Sequence, residues 1–196
     1  TGGSSRNIAT FSDTSNQNVR VMPASDELVM STAGSGNPGT ASTDLPFSVA
    51  FWVKPTGISG SEDHLFGKNV SSIGSYLGLY NNGNGINGPY PLVFRLFGTL
   101  ASDYVQITYS EGIAKDTWHH IVMTYDGRGG TDARNGMKMY INGVGVSTLP
   151  YSNASYDGMD PVNNRPFYIG AGVTGGNETT GDMSEFAVWK NYKLEG

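Results

Sequence analysis

Between Thr43 and Pro55 the chain reads Thr-Asp-Leu-Pro-Phe-Ser-Val-Ala-Phe-Trp-Val-Lys-Pro. In an extended chain Phe47, Val49, Phe51 and Val53 fall on one face, and Ala50 and Trp52 on the other. Both faces are mostly apolar, which is the pattern of a strand covered on both sides in the middle of a β protein. Pro46 and Pro55 bracket it, and neither fits inside a central strand. Its shortness and its β-branched and aromatic content argue against a helix.

The same reading along the chain gives strands at 19–22, 26–30, 64–68, 76–80, 92–97, 104–110, 118–125, 137–141, 144–148, 166–169 and 183–189. Asn142-Gly143 accepts positive φ at both positions, so it predicts a tight hairpin between two of these strands. Residues 34–43 and 81–91 read as long polar loops, and 127–136 as a flexible polar connector. Long loops in compact domains tend to carry function. Residues 1–18 form a polar leading segment, with Ile8 and Phe11 placed to tuck onto a sheet. Residues 19–196 form a single domain. About a dozen strands and no strong helix pattern predict an all-β fold, a sandwich or a barrel.

Composition sharpens this picture. There are 28 Gly, 11 Tyr and few charged residues in 196, which suits many strands and many turns. A chain of this length buries roughly 70% of its unfolded surface, enough for a core without staples. There is no cysteine, so a disulfide framework and any cysteine-based zinc or redox site are excluded. The net charge is −5 and no basic cluster occurs, which argues against nucleic acid or an anionic membrane as partner. No apolar run approaches the ~20 residues of a membrane-inserting helix. The two ends, Thr1-Gly2-Gly3-Ser4-Ser5 and Lys193-Leu194-Glu195-Gly196, read as those of a module cut from a longer protein.

Four ordered segments carry a resemblance. They are Pro46 to Pro55; Trp118-His119-His120-Ile121-Val122-Met123-Thr124-Tyr125-Asp126-Gly127; Met139-Tyr140-Ile141-Asn142-Gly143-Val144; and Ile169-Gly170 followed by Gly181 to Trp189. Together they resemble the laminin-G-like branch of the concanavalin-A-like lectin/glucanase superfamily, from about Ser25 onward. Ser25-Asp26-Glu27 followed by Thr43 to Ser48 is most similar to modules of phage and bacterial surface proteins. The resemblance implies a jelly-roll sandwich of two antiparallel sheets on an extracellular, cell-surface or virion protein. It also implies that the Trp-x-His of the second segment is a fold signature, with His120 hydrogen-bonded inside the sandwich.

Some relatives of that fold are glycosidases. The retaining ones set acids on alternate strand residues, giving the ~5 Å separation their mechanism needs. Of the six Glu here, none stands two residues from another acid inside an apolar strand. Glu62-Asp63 and Asp26-Glu27 are adjacent and point apart, and Asp182 and Glu185 fall on opposite faces of a strand. No Gly-x-Ser-x-Gly elbow occurs. The chain therefore reads as non-enzymatic.

Two kinds of ligand site remain. Laminin-G-like modules often hold Ca²⁺ at one rim, which implies Asp26, Glu27, Asp44 and Glu185 as metal ligands, although Ser184 stands where the family usually has an acid beside Glu185. Calcium takes six to eight oxygens from flexible loops. Sugars stack their C–H faces on aromatic rings and bond hydroxyls to amides. The candidates for that are Tyr80, Asn81, Asn82 and Tyr90 around one loop, and Tyr151, Asn153 and Tyr156 around another. The expected function is a carbohydrate-binding or adhesion module, with glycan, polysaccharide or other domains of the same protein as partners. The alternative is a structural spacer or decoration module making protein–protein contacts.

Overall fold

The computed structural model describes residues 8–11, 19–22, 31–32, 43–58, 60–70, 73–80, 87–98, 100, 102–152, 155–159, 167–171, 177–190 and 192–195. The elements are β1 (Ile8–Phe11), β2 (Val19–Met22), β3 (Ser31–Thr32), β4 (Thr43–Asp44), β5 (Phe47–Pro55), β6 (Glu62–Val70), β7 (Ile73–Tyr80), β8 (Tyr90–Phe97), β9 (Tyr104–Ile113), β10 (His119–Tyr125), α1 (Ala133–Gly136), β11 (Met137–Ile141), β12 (Val144–Gly145), β13 (Leu149–Ser152), β14 (Phe167–Ile169) and β15 (Gly181–Lys190). A six-stranded sheet runs β1-β15-β5-β10-β11-β12, and a seven-stranded sheet runs β13-β9-β8-β7-β6-β14-β2. Their ladders are antiparallel, and the two sheets pack face to face as the expected jelly-roll sandwich.

β5 lies inside the six-stranded sheet, paired with β10 on one side and β15 on the other. Phe47, Val49, Phe51 and Val53 point into the sandwich and are at most 1% exposed. The other face of the strand is also covered at Ser48 and Ala50. Part of that cover is the segment after β15. The Ser48 hydroxyl donates to the Tyr192 carbonyl at 3.2 Å and accepts from the Leu194 N–H at 2.9 Å. Thr124, the cross-strand partner of Ser48, is buried as well. Apolar residues on both faces of this strand thus follow from cover on both sides.

Aromatic rings join the sheets. Phe47 meets Phe94 edge-on at 6.0 Å, and Phe51 meets Phe66 edge-on at 6.2 Å. Phe186 stacks on Phe51 at 5.3 Å. Each such pair adds about 0.5–1.5 kcal/mol beyond the apolar area it buries.

Several elements differ from the sequence reading. β1 pairs with β15 from Ile8↔Ser184 to Phe11↔Gly181, so these four residues belong to the sheet. β13 is a strand where no alternation signalled one, because Pro150 interrupts the pattern. It survives because it is an edge strand, where a missing N–H is tolerated. Within 127–136 the chain forms the one-turn helix α1. The Asn142-Gly143 turn forms as expected, with φ of 52° and 81°. The 26–30 strand lies outside the described residues. His120 is a correction. Alternation with Ile121 and Met123 turns His119 inward, where Nε2 lies 3.2 Å from the Ala114 carbonyl. His120 instead sits on the outer face, its ring 5.1 Å from that of Trp52.

A buried carboxylate clamps the entrance to β5. Asp44 is 4% exposed. Its Oδ2 accepts from the Tyr125 hydroxyl at 2.5 Å and the Tyr156 hydroxyl at 2.9 Å, and its Oδ1 accepts from the Met159 N–H at 2.6 Å. The Tyr125 hydroxyl in turn accepts from the Gly129 N–H at 2.9 Å. Two chain segments, the end of β10 and residues 156–159, are thereby tied to one side chain. Burial pushes the Asp44 carboxyl above its ordinary value of 3.8, against the opposing pull of its three donors.

Two outcomes are expected. Asp44→Ala leaves three buried donors without an acceptor and should lower stability by about 3 kcal/mol or more in urea unfolding. Because the folded carboxyl holds its proton more tightly than the unfolded one, its contribution is fullest below pH 3.8 and declines as pH rises through the raised folded value. The wild-type advantage over Asp44→Asn should shrink in that direction. Gly127 has φ of 78°, and a Cβ there would lie 2.7 Å from the Pro46 nitrogen and 2.9 Å from the Leu45 carbonyl carbon. Gly127→Ala should therefore cost about 1–3 kcal/mol or more in the same assay.

Candidate functional site

The residues expected to bind calcium do not assemble among the described residues. Asp26 and Glu27 lie outside them. Both Asp44 oxygens accept hydrogen bonds from the Tyr125 and Tyr156 hydroxyls and the Met159 N–H, so Asp44 acts as a structural anchor here. Glu185 is exposed on β15, with φ of 55°, at the bulge between Ser184 and Ala187. Among the described residues no group of three or more His, Cys, Asp or Glu side chains is placed to hold a metal ion.

The aromatic candidates divide sharply. Tyr90 and Tyr156 are each 1% exposed, so neither can stack on a sugar. Tyr90 opens β8 with its ring in the core, and Tyr156 is held beneath Asp44. Both were read as loop residues because glycines, asparagines and prolines surround them, yet the tertiary fold pulls them inward. Tyr80 and Tyr151 are 42% and 46% exposed. Asn81, Asn82 and Asn153 lie outside the described residues.

Strand register places the two exposed tyrosines on one face. Leu77, Leu79, Leu92, Phe94, Leu96, Val105 and Ile107 point into the sandwich. Their alternates point outward. Arg95 pairs with Gln106, and Gln106 with Tyr151, which sets these three in one row across β8, β9 and β13. Phe97 and Tyr104 form the adjoining row. Tyr80 is two residues from Gly78, which pairs with outward-facing Val93. Tyr80 and Tyr151 are three strands apart and several residues apart along the sheet, on the order of 20 Å. A single sugar ring cannot touch both.

Around Tyr151 the side chains are locked together. Its ring packs 5.2 Å from that of Tyr104, which packs 5.6 Å from Phe97. The Arg95 guanidinium carbon lies 4.7 Å from the Tyr104 ring centre and 5.5 Å from that of Phe97. Arg95 Nε donates to Gln106 Oε1 at 2.8 Å, and Gln106 Nε2 to Thr108 Oγ1 at 3.3 Å. The result is an aromatic shelf with an amide and a cation beside it. Arg95, Gln106 and Tyr104 were missed in the sequence, although alternation in 92–97 and 104–110 already put them on the solvent side. What hid the shelf was β13, the unrecognised strand that carries Tyr151 to it.

Farther along the same face, on β6, Glu62 Oε1 lies 4.0 Å from His64 Nε2. Burial, and then the positive charge of Arg95, lower the His64 imidazole to about 4, so it is neutral at physiological pH. Asp63 points the other way, into the sandwich, where its Oδ2 accepts the Thr180 N–H at 3.2 Å. Adjacent acids thus face apart, as strand alternation requires. A separate hollow of about 590 Å³ is lined by Asp126, Arg128, Gly129, Gly130, Thr131 and Asp132. Its Asp126 carboxylate is engaged by Arg128, with Nη2 to Oδ2 at 2.6 Å.

Comparison with known proteins agrees with this architecture. Domain 4 of AbnA, a GH43 extracellular arabinanase from Geobacillus stearothermophilus solved with arabinotriose, superposes with a TM-score of 0.50 at 20% identity, covering 76% of this chain and 63% of that one. The heptameric SAP-like pentraxin of Limulus polyphemus gives 0.52 at 20% identity, covering 84% and 76%. The receptor-binding domain of botulinum neurotoxin mosaic serotype C/D gives 0.52 at 18% identity, covering 77% of this chain and 34% of that one. The chain thus spans less than two thirds of the arabinanase domain's length and about a third of the neurotoxin domain's. A search of curated proteins returned no match. A laminin-G family model, described as the concanavalin A-like lectin/glucanases superfamily, matches residues 23–194, and with the two-sheet jelly roll this establishes that the chain belongs to that superfamily.

Proposed function

We propose that this domain is a non-catalytic carbohydrate-binding module of a larger extracellular or surface protein, and that its glycan lies on the outer face of the seven-stranded sheet. The observation that carries the reading is the Tyr151–Tyr104 shelf. It offers an exposed ring beside Arg95 and Gln106, which is the mixture of apolar face and fixed polar groups that a sugar ring needs. Tyr80, distant on the same face, would then serve an extended chain of sugars rather than a single unit. The arabinanase domain of like fold was solved with arabinotriose, which supports the class of ligand. Calcium is not required at this shelf, whose polar groups are an amide and a guanidinium.

A structural module is the second reading. It is favoured by Val144 and Leu149, each 66% exposed, on the edge strands β12 and β13. Against a strand-to-strand contact, Pro150 removes a donor from the middle of the β13 edge.

A glycan array on the isolated chain tests the first reading, followed by titration of the best ligand. Tyr151→Ala should weaken binding about tenfold, equivalent to about 1.4 kcal/mol, with an unchanged melting temperature. Affinity should be the same in calcium and in chelator. A ligand whose binding needs calcium would move the site away from this shelf. An array with no binder, together with a concentration-dependent rise in mass that Leu149→Ser abolishes, would favour the structural module.

A further inference from the structure

We propose that Gln106 is the specificity-determining residue of the shelf, and that it selects sugars presenting two neighbouring free hydroxyls at the edge of the unit stacked on Tyr151. The inference rests on the carbohydrate-binding reading above and names the ligand feature that the site reads.

Gln106 is the cross-strand partner of Tyr151 in the ladder between β9 and β13. Directly opposed strand residues hold their Cβ atoms about 4.5–5.5 Å apart, so the amide stands at the edge of the exposed ring. Tyr104, two residues earlier on the outward side of β9, packs its ring 5.2 Å from that of Tyr151. A sugar laid C–H face down on Tyr151 turns its hydroxyls outward around its rim. Toward Tyr104 that rim meets a second aromatic ring. Toward Gln106 it meets a polar group.

The half-buried amide is held in one orientation, and elementary donor chemistry says which. Arg95 Nε can only donate, so the amide atom 2.8 Å from it is the carbonyl oxygen. Nε2 then faces Thr108 Oγ1, at 3.3 Å. A flipped amide would set one N–H against another at Arg95. A glutamine amide carries two lone pairs on its oxygen and two N–H groups on its nitrogen, and each of these bonds uses one. One acceptor and one donor position remain, side by side on a group that is already oriented. Hydroxyls on adjacent sugar carbons suit such a pair, one donating to Oε1 and the other accepting from Nε2. A group fixed before binding loses little further freedom when the ligand arrives. A closed site built to bond a hydroxyl rejects an analogue lacking it by about 10⁴-fold or more. Water reaches this open shelf and can fill the missing place, so the expected discrimination is nearer tenfold.

The test uses matched ligands on the full chain. The 1,4-linked trisaccharides of xylose, glucose, mannose and galactose, whose middle units carry free 2- and 3-hydroxyls, are titrated beside versions with a 2-deoxy or a 3-deoxy middle unit. At least one parent trisaccharide should bind, and either deletion should weaken it about tenfold. An uncharged amide makes this discrimination, so it should be the same at low and high salt. Gln106→Leu should bring the ratio of parent to deoxy affinity near one, with an unchanged melting temperature. Gln106→Glu keeps the acceptor and loses the N–H, so only one of the two deletions should still matter. Equal affinity for parent and deoxy ligands, with binding that Tyr151→Ala still weakens, would overturn the proposal and leave the carbohydrate reading standing. A discrimination that persists undiminished in both Gln106 variants, or that disappears at high salt, would also overturn it. Absence of binding to every member would remove both.

Discussion

The structure depends on one strand being buried from two directions. Phe47, Val49, Phe51 and Val53 meet the facing sheet, while Ser48 and Ala50 are covered from behind. β5 lies inside its sheet, with β10 and β15 beside it. Once that strand is placed, the rest is constrained. Phe47 and Phe51 fix where Phe94 and Phe66 of the opposite sheet must sit. Ser48 fixes the path of the segment after β15. Asp44 at the strand's entrance gathers Tyr125, Tyr156 and Met159, and so decides how the loops at that end pack.

That arrangement separates the duties of the two ends and the two faces. The end holding Asp44 is an interior polar network, closed by hydrogen bonds and low in exposure. Its carboxylate acts as a fastener through its three donors. The outer face of the seven-stranded sheet is the opposite. Its strands supply inward residues to the core at every second position and turn the alternate positions outward. Tyr104, Gln106, Arg95 and Tyr151 occupy them, on rigid strands rather than on loops.

Much of the fold was legible in the residues. The two-sided apolar pattern of 47–53, the Asn142-Gly143 turn and the ordered motifs were enough to anticipate an antiparallel sandwich, because strand periodicity is local and the turn chemistry is local. The site was less so. Tyr80 and Tyr151 were found on the surface, but Tyr90 and Tyr156 were not, since burial of a tyrosine depends on what packs above it. The same limit explains His119 and His120. A motif named the pair, and only the register of β10 decided which ring turned inward.

The sequence by itself determined the class of fold, the position of its central strand, the absence of cysteine chemistry and the supply of aromatic and amide groups. These are properties of composition and of period-two alternation, and they survive without knowledge of distant contacts. Tertiary structure decided which candidates meet. Tyr151 reaches Tyr104 only because β13, a proline-interrupted stretch with no strand signal, pairs with β9. Arg95 becomes an oriented cation only because residues 95, 97, 104 and 106 are brought onto one face by the register of β8 and β9. Such contacts join residues far apart in the chain, and no local pattern encodes them.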